Sequence, residues 1–115
     1  PGNLPLLQGA DERVLELVNR YAEEQRRFST LNLNVSELVV NDRGAWSIKF
    51  SNELKIAVGR HDVDGRLQRL ARYLETIRQL KGMPESIDLR YQHGMAVFWK
   101  PAEKQNNEVS GEGAV

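Results

Sequence analysis

The sequence predicts an α+β domain in which a largely antiparallel meander of strands carries two helices on one face. Two segments place apolar residues at helical spacing, and five shorter ones are rich in β-branched residues or alternate apolar with polar residues. The first three of these strands are joined by short connections, which favour antiparallel pairing of neighbours. We therefore expect the element order α-β-β-β-α-β-β.

The first helix is predicted over residues 11 to 27. Asp11 stands at a position where a helix N-cap is expected, and apolar side chains follow it three or four residues apart. These apolar residues are Val14, Leu17, Val18, Tyr21 and Phe28, and the charged residues between them are Glu16, Arg20, Glu23, Glu24 and Arg27. The pattern is typical of an amphipathic helix with one face on the core.

The next three strands follow a change of period. The segment from Val35 to Val40 is rich in β-branched residues, and the turn sequence from Asn41 to Gly44 ends with a glycine that tolerates positive φ. Two alternating segments follow, and their apolar members are Trp46, Ile48 and Phe50 in the first and Leu54, Ile56 and Val58 in the second. Such alternation indicates half-buried strands.

The second helix is predicted to begin after Asp62, which we interpret as its N-cap, and to end at Gly82 and Pro84. Its apolar stripe consists of Val63, Leu67, Leu70, Leu74 and Ile77. A tight hairpin follows in "IDLRYQHGMAVFWK". Its turn is "QHG" at residues 92 to 94, and its second strand runs from Met95 to Trp99. Pro101 lacks the amide proton needed to continue the ladder.

Length and composition set the domain organisation. A chain of 115 residues suffices for one domain, which we assign to residues 1 to 101. Residues 102 to 115 are polar and contain glycine, with nothing large to bury, so we predict a flexible tail. The opening "PGNLPLLQG" lacks methionine, and we interpret the chain as a piece of a longer protein.

The charge balance and the lack of cysteine exclude several function classes. Sixteen Lys and Arg residues balance sixteen Asp and Glu residues, so the overall positive field typical of nucleic-acid-binding proteins is missing. We therefore expect no nucleic-acid partner. No apolar run approaches the roughly 20 residues that span a bilayer. Without cysteine, neither a disulfide nor a thiolate metal site can form.

Residues suited to catalysis or metal binding are few. His61, Asp62 and Asp64 could begin a metal site, but Asp62 is needed as a helix cap and no second histidine is near. His93 stands in a turn without a nucleophile, which favours a solvated residue over a catalytic base. The sequence contains neither a glycine-rich motif that binds phosphate nor the Gly-x-Ser-x-Gly motif of a serine nucleophile. We predict no catalytic residue, no cofactor and no metal.

Arginines gather around the second helix, where they could indicate a nucleic-acid surface. They are Arg60, Arg66, Arg69, Arg72 and Arg78, and the acidic residues among them are Asp62, Asp64 and Glu75. Because the acidic residues dilute the positive charge and the net charge is zero, a solvated helix face is the better interpretation.

Three segments together resemble the C-terminal β-domain of the FtsQ family of bacterial cell-division proteins. They are "DRGAWSIKF" at residues 42 to 50, "VGRHDVDGRLQRLARYL" at 58 to 74 and "IDLRYQHGMAVFWK" at 87 to 100. "LPLLQG" resembles the family's entry into this domain, so the resemblance covers roughly residues 4 to 101. The sequence departs from the family at Phe98, where relatives often carry a small or basic residue, and in the short connection "KGMPES".

The resemblance implies a non-catalytic scaffold domain of the division complex. It implies a longer protein with one transmembrane helix outside this sequence, which places the domain on the periplasmic face of the inner membrane at the septum. The implied partners are FtsB and FtsL, with a segment of FtsB adding a β-strand to the terminal strand of the domain. Membrane contact is expected only through that transmembrane helix.

The last strand also predicts a docking edge on physical grounds. Edge strands usually carry protecting charges, whereas the segment from Met95 to Trp99 has none and holds three large apolar residues. Matching family positions imply Tyr91 and Trp99 as apolar anchors, and Arg90 and Arg43 as partners for acidic groups. The full set of predicted partner-binding residues is Arg43, Arg90, Tyr91, His93, Gly94, Met95, Ala96, Val97, Phe98 and Trp99.

Two alternatives stay open at this point. Tyr91 and Trp99 could be core residues, and Arg43 an ordinary turn residue. A second function class is a domain that binds or processes peptidoglycan of the cell wall, using His61, Asp62 and the basic second helix.

Overall fold

A six-stranded sheet runs through residues 4 to 101, the part of the chain that this computed structural model describes. The strands are β1 (Leu6–Gln8), β2 (Val35–Val40), β3 (Trp46–Phe50), β4 (Lys55–Gly59), β5 (Ser86–Asp88) and β6 (Ala96–Phe98). The helices are α1 (Val14–Ser29), which a 3₁₀ turn at Asp11–Arg13 precedes, and α2 (Val63–Lys81). The predicted α+β class is confirmed. The predicted tail, residues 102 to 115, lies outside the described residues.

The strands lie side by side in their sequence order, and the sheet is mixed. The pairs β2–β3, β3–β4 and β5–β6 are antiparallel, as the meander predicts. The pairs β1–β2 and β4–β5 are parallel. Sequence analysis missed β1, because a strand of three residues with exposed Leu6 in it has no detectable alternation.

Both helices lie on the same face of the sheet. Each one connects two adjacent parallel strands, α1 between β1 and β2 and α2 between β4 and β5. Both connections run in the same direction across the sheet, and connections of this kind are right-handed, so both helices lie on one side. Arg27 of α1 contacts Asp64 of α2 at 2.7 Å, which agrees with this arrangement. Within residues 4 to 101, no helix covers the opposite face of the sheet.

The core lies between this sheet face and the two helices. Phe28 of α1 and Phe50 of β3 are both fully buried and meet edge to face, with ring centroids 5.0 Å apart. Every apolar residue predicted for β3 and β4 is buried, as are Leu67, Leu70 and Leu74 of α2. The alternation and helical periods in the sequence therefore identified most of the core.

The apolar side of α1 differs from the prediction. Val14 and Val18 are about half exposed, at 50% and 47%. The buried stripe instead continues from Leu17 through Glu24 to Phe28, and Glu24 has no exposed surface. Glu24 lies seven residues after Leu17 and four before Phe28, which places it on the core side of the helix. Its charge made it look like a surface residue in the sequence.

The helix boundaries follow the sequence, and Asp62 stands at the N-cap position of α2 as predicted, whereas Asp11 does not cap α1. Asp11 lies inside the 3₁₀ turn, and Asp62 precedes α2 with left-handed backbone angles and no capping bond from its side chain. Gly82 ends α2 with a φ of 84°, where glycine avoids strain. Within residues 4 to 101, neither helix is long and apolar enough to cross a bilayer.

Candidate protein-docking edge

β6 is an edge strand of the sheet. Among residues 4 to 101, no strand pairs with the backbone N–H and C=O groups on its outer side. The Leu89 amide donates to the Ala57 carbonyl on β4 at 2.8 Å. Backbone groups of successive residues point to opposite sides of a strand, so those of Asp88 point toward β6. Asp88 pairs with Ala96, and the N–H and C=O of the next residue, Val97, therefore point away from the sheet.

The side chains of β6 divide between the two faces of the sheet. Val97 lies opposite buried Ile87 and is itself half-buried against the core. Phe98 and Ala96 lie on the uncovered face, and Phe98 is 54% exposed. No residue of β6 is charged. The edge therefore lacks the charges that usually prevent edge strands from pairing with other chains.

Most of the residues around Phe98 on the uncovered face of the sheet are polar or charged. This face forms a groove of about 410 Å³. The side chains that line it from this face are Glu37, Val39, Ser47, Lys49, Lys55, Ala57, Ser86, Asp88 and Phe98. Lys49 and Glu37 form an ion pair across β2 and β3 at 3.6 Å. Phe98 is thus the one large apolar side chain on this face of the groove.

The final hairpin is confirmed as an antiparallel pair, but its turn is not tight. The last paired residues are Asp88 and Ala96, and residues 89 to 95 connect them. The connection is long because Leu89 is fully buried and bonds to β4, which draws the chain away from β6. Tyr91, His93 and Gly94, which were predicted to bind the partner, are exposed on this connection.

Arg90 is held against β5 by Asp88. Its Nε and Nη2 donate to the two carboxylate oxygens of Asp88 at 2.9 and 2.8 Å. The hydrogen bonds from Arg90 hold the pKa of the Asp88 carboxyl below its usual range. The stem of Arg90 also packs over Gly59, where an added Cβ would lie 3.0 Å from Arg90 Cγ. The guanidinium is therefore fixed in direction although its side chain is 61% exposed.

Arg43 and Arg90, which were both predicted as partners for acidic groups, line the same shallow depression of about 310 Å³. The Asn41 side chain accepts from the Arg43 amide at 3.0 Å and fixes the turn that carries Arg43. The depression is also lined by Ala45, Gly59, Arg60, His61 and Arg66. Four arginines line this depression, and arginine is the residue type best suited to bind carboxylates.

Tyr91 lies on the surface, whereas Trp99 packs partly against the core. Tyr91 is 49% exposed, which fits a surface anchor. Trp99 is half-buried, its Nε1 donates to the Gly82 carbonyl at 2.8 Å, and Lys81 lies 5.4 Å from its ring. Trp99 therefore packs on the end of α2 with only part of its ring accessible. Met95 and Ala96 are also half-buried.

The arginines of the second helix are not all solvated. Arg72 and Arg78 are exposed, as predicted. Arg66 is half-buried and donates to the Val58 carbonyl at 2.8 Å, and Arg69 is half-buried and donates to the Gly94 carbonyl at 3.1 Å. Their carbonyl partners lie outside α2, 8 and 25 residues away, and helical periodicity alone could not show such contacts.

The three residues considered for a metal site, His61, Asp62 and Asp64, have different contacts. His61 lies in the arginine-lined depression, whereas Asp64 pairs with Arg27 of α1. Asp62 places its carboxylate over Gly65 in the first turn of α2, where an added Cβ would lie 2.5 Å from Asp62 Oδ2. The three side chains thus have separate surroundings.

Residues 1 to 90 match the family model described as "Cell division protein FtsQ/DivIB, C-terminal". The chain is similar to the cell division protein FtsQ of Allochromatium vinosum, with 38% identity over 103 residues covering 88% of this chain and 40% of that protein. The Xanthomonas campestris pv. campestris protein of the same name is 38% identical over 94 residues, covering 82% and 34%. The Vibrio cholerae one is 32% identical over 114 residues, covering 96% and 43%. The chain therefore spans well under half the length of these relatives.

Proposed function

This chain belongs to the family of the FtsQ/DivIB C-terminal domain, and we propose on that premise that it is a non-catalytic protein-binding domain of the bacterial division complex. The relatives are named as cell-division proteins. The observation that carries the proposal is the uncharged edge of β6, whose Val97 directs an amide and a carbonyl away from the sheet.

The proposed partners are FtsB and FtsL, with an extended segment of FtsB adding a strand beside β6. Such addition would pair the outward backbone groups of Val97 and extend the sheet by one strand. If the added strand is antiparallel, it places a side chain directly opposite Phe98 in a pair without hydrogen bonds, where side chains approach most closely. Phe98 would then favour an apolar residue at that position of the partner.

Arginines near the connection between β5 and β6 would fix the direction in which the partner segment runs. Arg90 and Arg43 line one depression, and acidic side chains of the partner would bind there by charge-assisted hydrogen bonds. Exposed Tyr91 lies next to Arg90 in the chain and supplies an aromatic contact. Trp99 would contribute the accessible part of its ring. His93, Gly94 and Met95 complete the proposed surface.

We place this domain on the periplasmic face of the inner membrane at the division septum, carried there by a longer protein with a transmembrane helix. Residues 1 to 101 would form the docking domain, and residues 102 to 115 a tail outside it. These assignments follow from family membership and need the full-length protein to be tested.

Substitution of Val97 by proline tests strand addition directly. Proline removes one outward amide donor and fixes φ, so we expect the partner affinity to fall at least tenfold, by analogy with the cost of a lost interfacial bond of about 1.5 kcal/mol. The readout is calorimetric titration of the 115-residue chain with the extracytoplasmic segment of FtsB from the same bacterium.

The matched control is Val97→Ala, which shortens the side chain and keeps the amide. It should bind within about threefold of the parent, because Val97 is only half-buried. Melting temperatures show whether both variants fold. A folded Val97→Pro chain that binds like the parent contradicts strand addition at β6, and a parent chain that does not bind the segment contradicts the proposed partner.

A further inference from the structure

The connection between β5 and β6 has few hydrogen bonds to hold it. Outside the strand ladder, residues 91 to 95 take part in one hydrogen bond within the described part of the chain, from Arg69 Nη2 to Gly94 O at 3.1 Å. Exposed chain with so few backbone bonds is mobile unless a group outside it restrains it. Arg69 provides that restraint from α2, 25 residues earlier in the chain.

The surroundings of Arg69 restrict the direction of its side chain. Arg69 is half-buried beside the buried Leu70, and its Nε is buried without a hydrogen-bond partner among the described residues. Arg69 is thereby kept directed at the connection and away from bulk solvent.

Gly94 is adapted to receive the bond. Its φ is 93°, which residues with a side chain rarely adopt, and an added Cβ would meet nothing within 4 Å. Glycine is therefore required for the backbone direction and not for space. That direction turns the Gly94 carbonyl toward α2, where Arg69 donates to it.

We propose that Arg69 is a positioning residue, which holds the β5–β6 connection so that Arg90 and Tyr91 are presented beside the free edge of β6. This inference rests on the proposed function. A connection ordered before binding loses less conformational freedom when the partner docks, and this raises affinity without a new contact. Arg69 itself does not touch the partner.

Substitution of Arg69 by methionine keeps most of the apolar stem and removes the donor. We expect the ¹⁵N order parameters of residues 91 to 95 to fall from about 0.85 to below about 0.6 in the free chain. Affinity for the partner segment that tests the proposed function should fall about threefold to tenfold. The matched control is Arg72→Met, one turn along α2 and exposed, which should change neither quantity.

A double-mutant cycle separates positioning from direct contact. In a Tyr91→Ala background, Arg69→Met should cost clearly less affinity than in the parent, because it acts through that residue and its neighbour. If the two losses simply add, Arg69 acts independently of Tyr91 and the proposal is wrong. If Arg69→Met does not fold, Gly94→Ala replaces it, because strain at that φ should loosen the same connection.

The two hypotheses fail in different ways. Order parameters that do not change in Arg69→Met overturn the positioning role, whatever the affinity does. A loosened connection with unchanged affinity also overturns it, since the ordering then has no consequence for docking. If the parent chain does not bind the segment at all, the proposed function fails, while the order parameters still decide whether Arg69 holds the connection.

Discussion

Arg90 shows how one exposed side chain can be both fixed and available. Its two bonds to Asp88 use Nε and Nη2, on one side of the guanidinium. A guanidinium carries five N–H donors, so others stay free for a partner. Because Asp88 and Gly59 set its direction, Arg90 loses little freedom when a carboxylate binds it.

Reversing the charge of Arg90 should weaken docking without unfolding the domain. We expect Arg90→Glu to lower the affinity for the FtsB segment several-fold to a hundredfold, since a charge-assisted interfacial bond is worth roughly 1.5 to 3 kcal/mol and the reversal adds repulsion. The melting temperature should barely change because the side chain is exposed. Arg43→Glu should act in the same direction but less, as an exposed turn residue is screened by salt.

The control for both reversals is Arg72→Glu, on the exposed side of α2. It should bind like the parent. If Arg90→Glu and Arg43→Glu bind like the parent while Arg66→Glu abolishes binding, the docking surface lies along α2 and not at β6. Calorimetric titrations at one fixed salt concentration decide between these outcomes.

Phe98 should contribute to the choice of partner. Phe98→Ala is expected to lower affinity about twofold to fivefold, because an aromatic cross-strand pair is worth roughly 0.2 to 1 kcal/mol. Tyr73→Ala is the matched control, since Tyr73 is 46% exposed on α2 and Phe98 is 54% exposed on β6. An equal loss of partner affinity in the two variants would show that Phe98 does not contact the partner specifically.

At the scale of elements, an ionic cluster joins the two helices. Glu24 is fully buried between Arg27, at 2.9 Å, and Arg20, at 3.1 Å. Burial raises the pKa of the Glu24 carboxyl, and the two arginines oppose that effect. Asp64 extends the cluster to α2 through Arg27. The cluster therefore stabilises the arrangement of α1 and α2 above the sheet.

Asp64→Asn tests this link through its pH dependence. The hydrogen bond from Arg27 lowers the pKa of the Asp64 carboxyl, so its stabilising effect is complete above the ordinary aspartate pKa of about 3.9 and disappears as the pH falls through the lower folded value. Asp64 is more than half exposed, so we expect a loss of only about 0.5 to 1 kcal/mol at pH 7.

The measurement is urea unfolding of parent and variant at several pH values. The difference in the free energy of unfolding should shrink below about pH 4. Asp42→Asn, at an exposed turn position, is the control and should show no such trend. A difference for Asp64→Asn that stays constant down to pH 2 would mean that the ion pair with Arg27 does not contribute.

At the scale of the whole molecule, the net charge is zero, but positive charge is concentrated in one place. Arg43, the nearby pair Arg60 and Arg66, and Arg90 come from three separate stretches of the sequence and line one depression at an end of the sheet. Acidic residues balance them elsewhere, including the cluster between the helices. The balanced composition predicts that a general polyanion surface is absent, but it says nothing about such a local site.

The family and the uncharged edge strand, which we propose as the docking strand, were both recognisable from the sequence. Segments around the Arg43 turn, α2 and the final hairpin carried the resemblance, and the match over residues 1 to 90 confirms the family. The uncharged run from Met95 to Trp99 contains β6, which is an edge strand of the sheet formed by the described residues. The placement of Arg43 next to Arg90 could not be derived from spacing, because 47 positions separate them and only the sheet order unites them.

Periodicity determined which segments are helices and strands, because each element must direct one face at the core, and that requirement repeats every few residues. Tertiary structure alone decided the features that depend on distant partners. Leu89 is drawn to β4 and lengthens the final connection, Glu24 is buried because Arg20 and Arg27 neutralise it, and Arg69 restrains a connection 25 residues away. Such contacts depend on the three-dimensional arrangement of the elements and not on a repeat along the chain, so periodicity in the sequence cannot predict them.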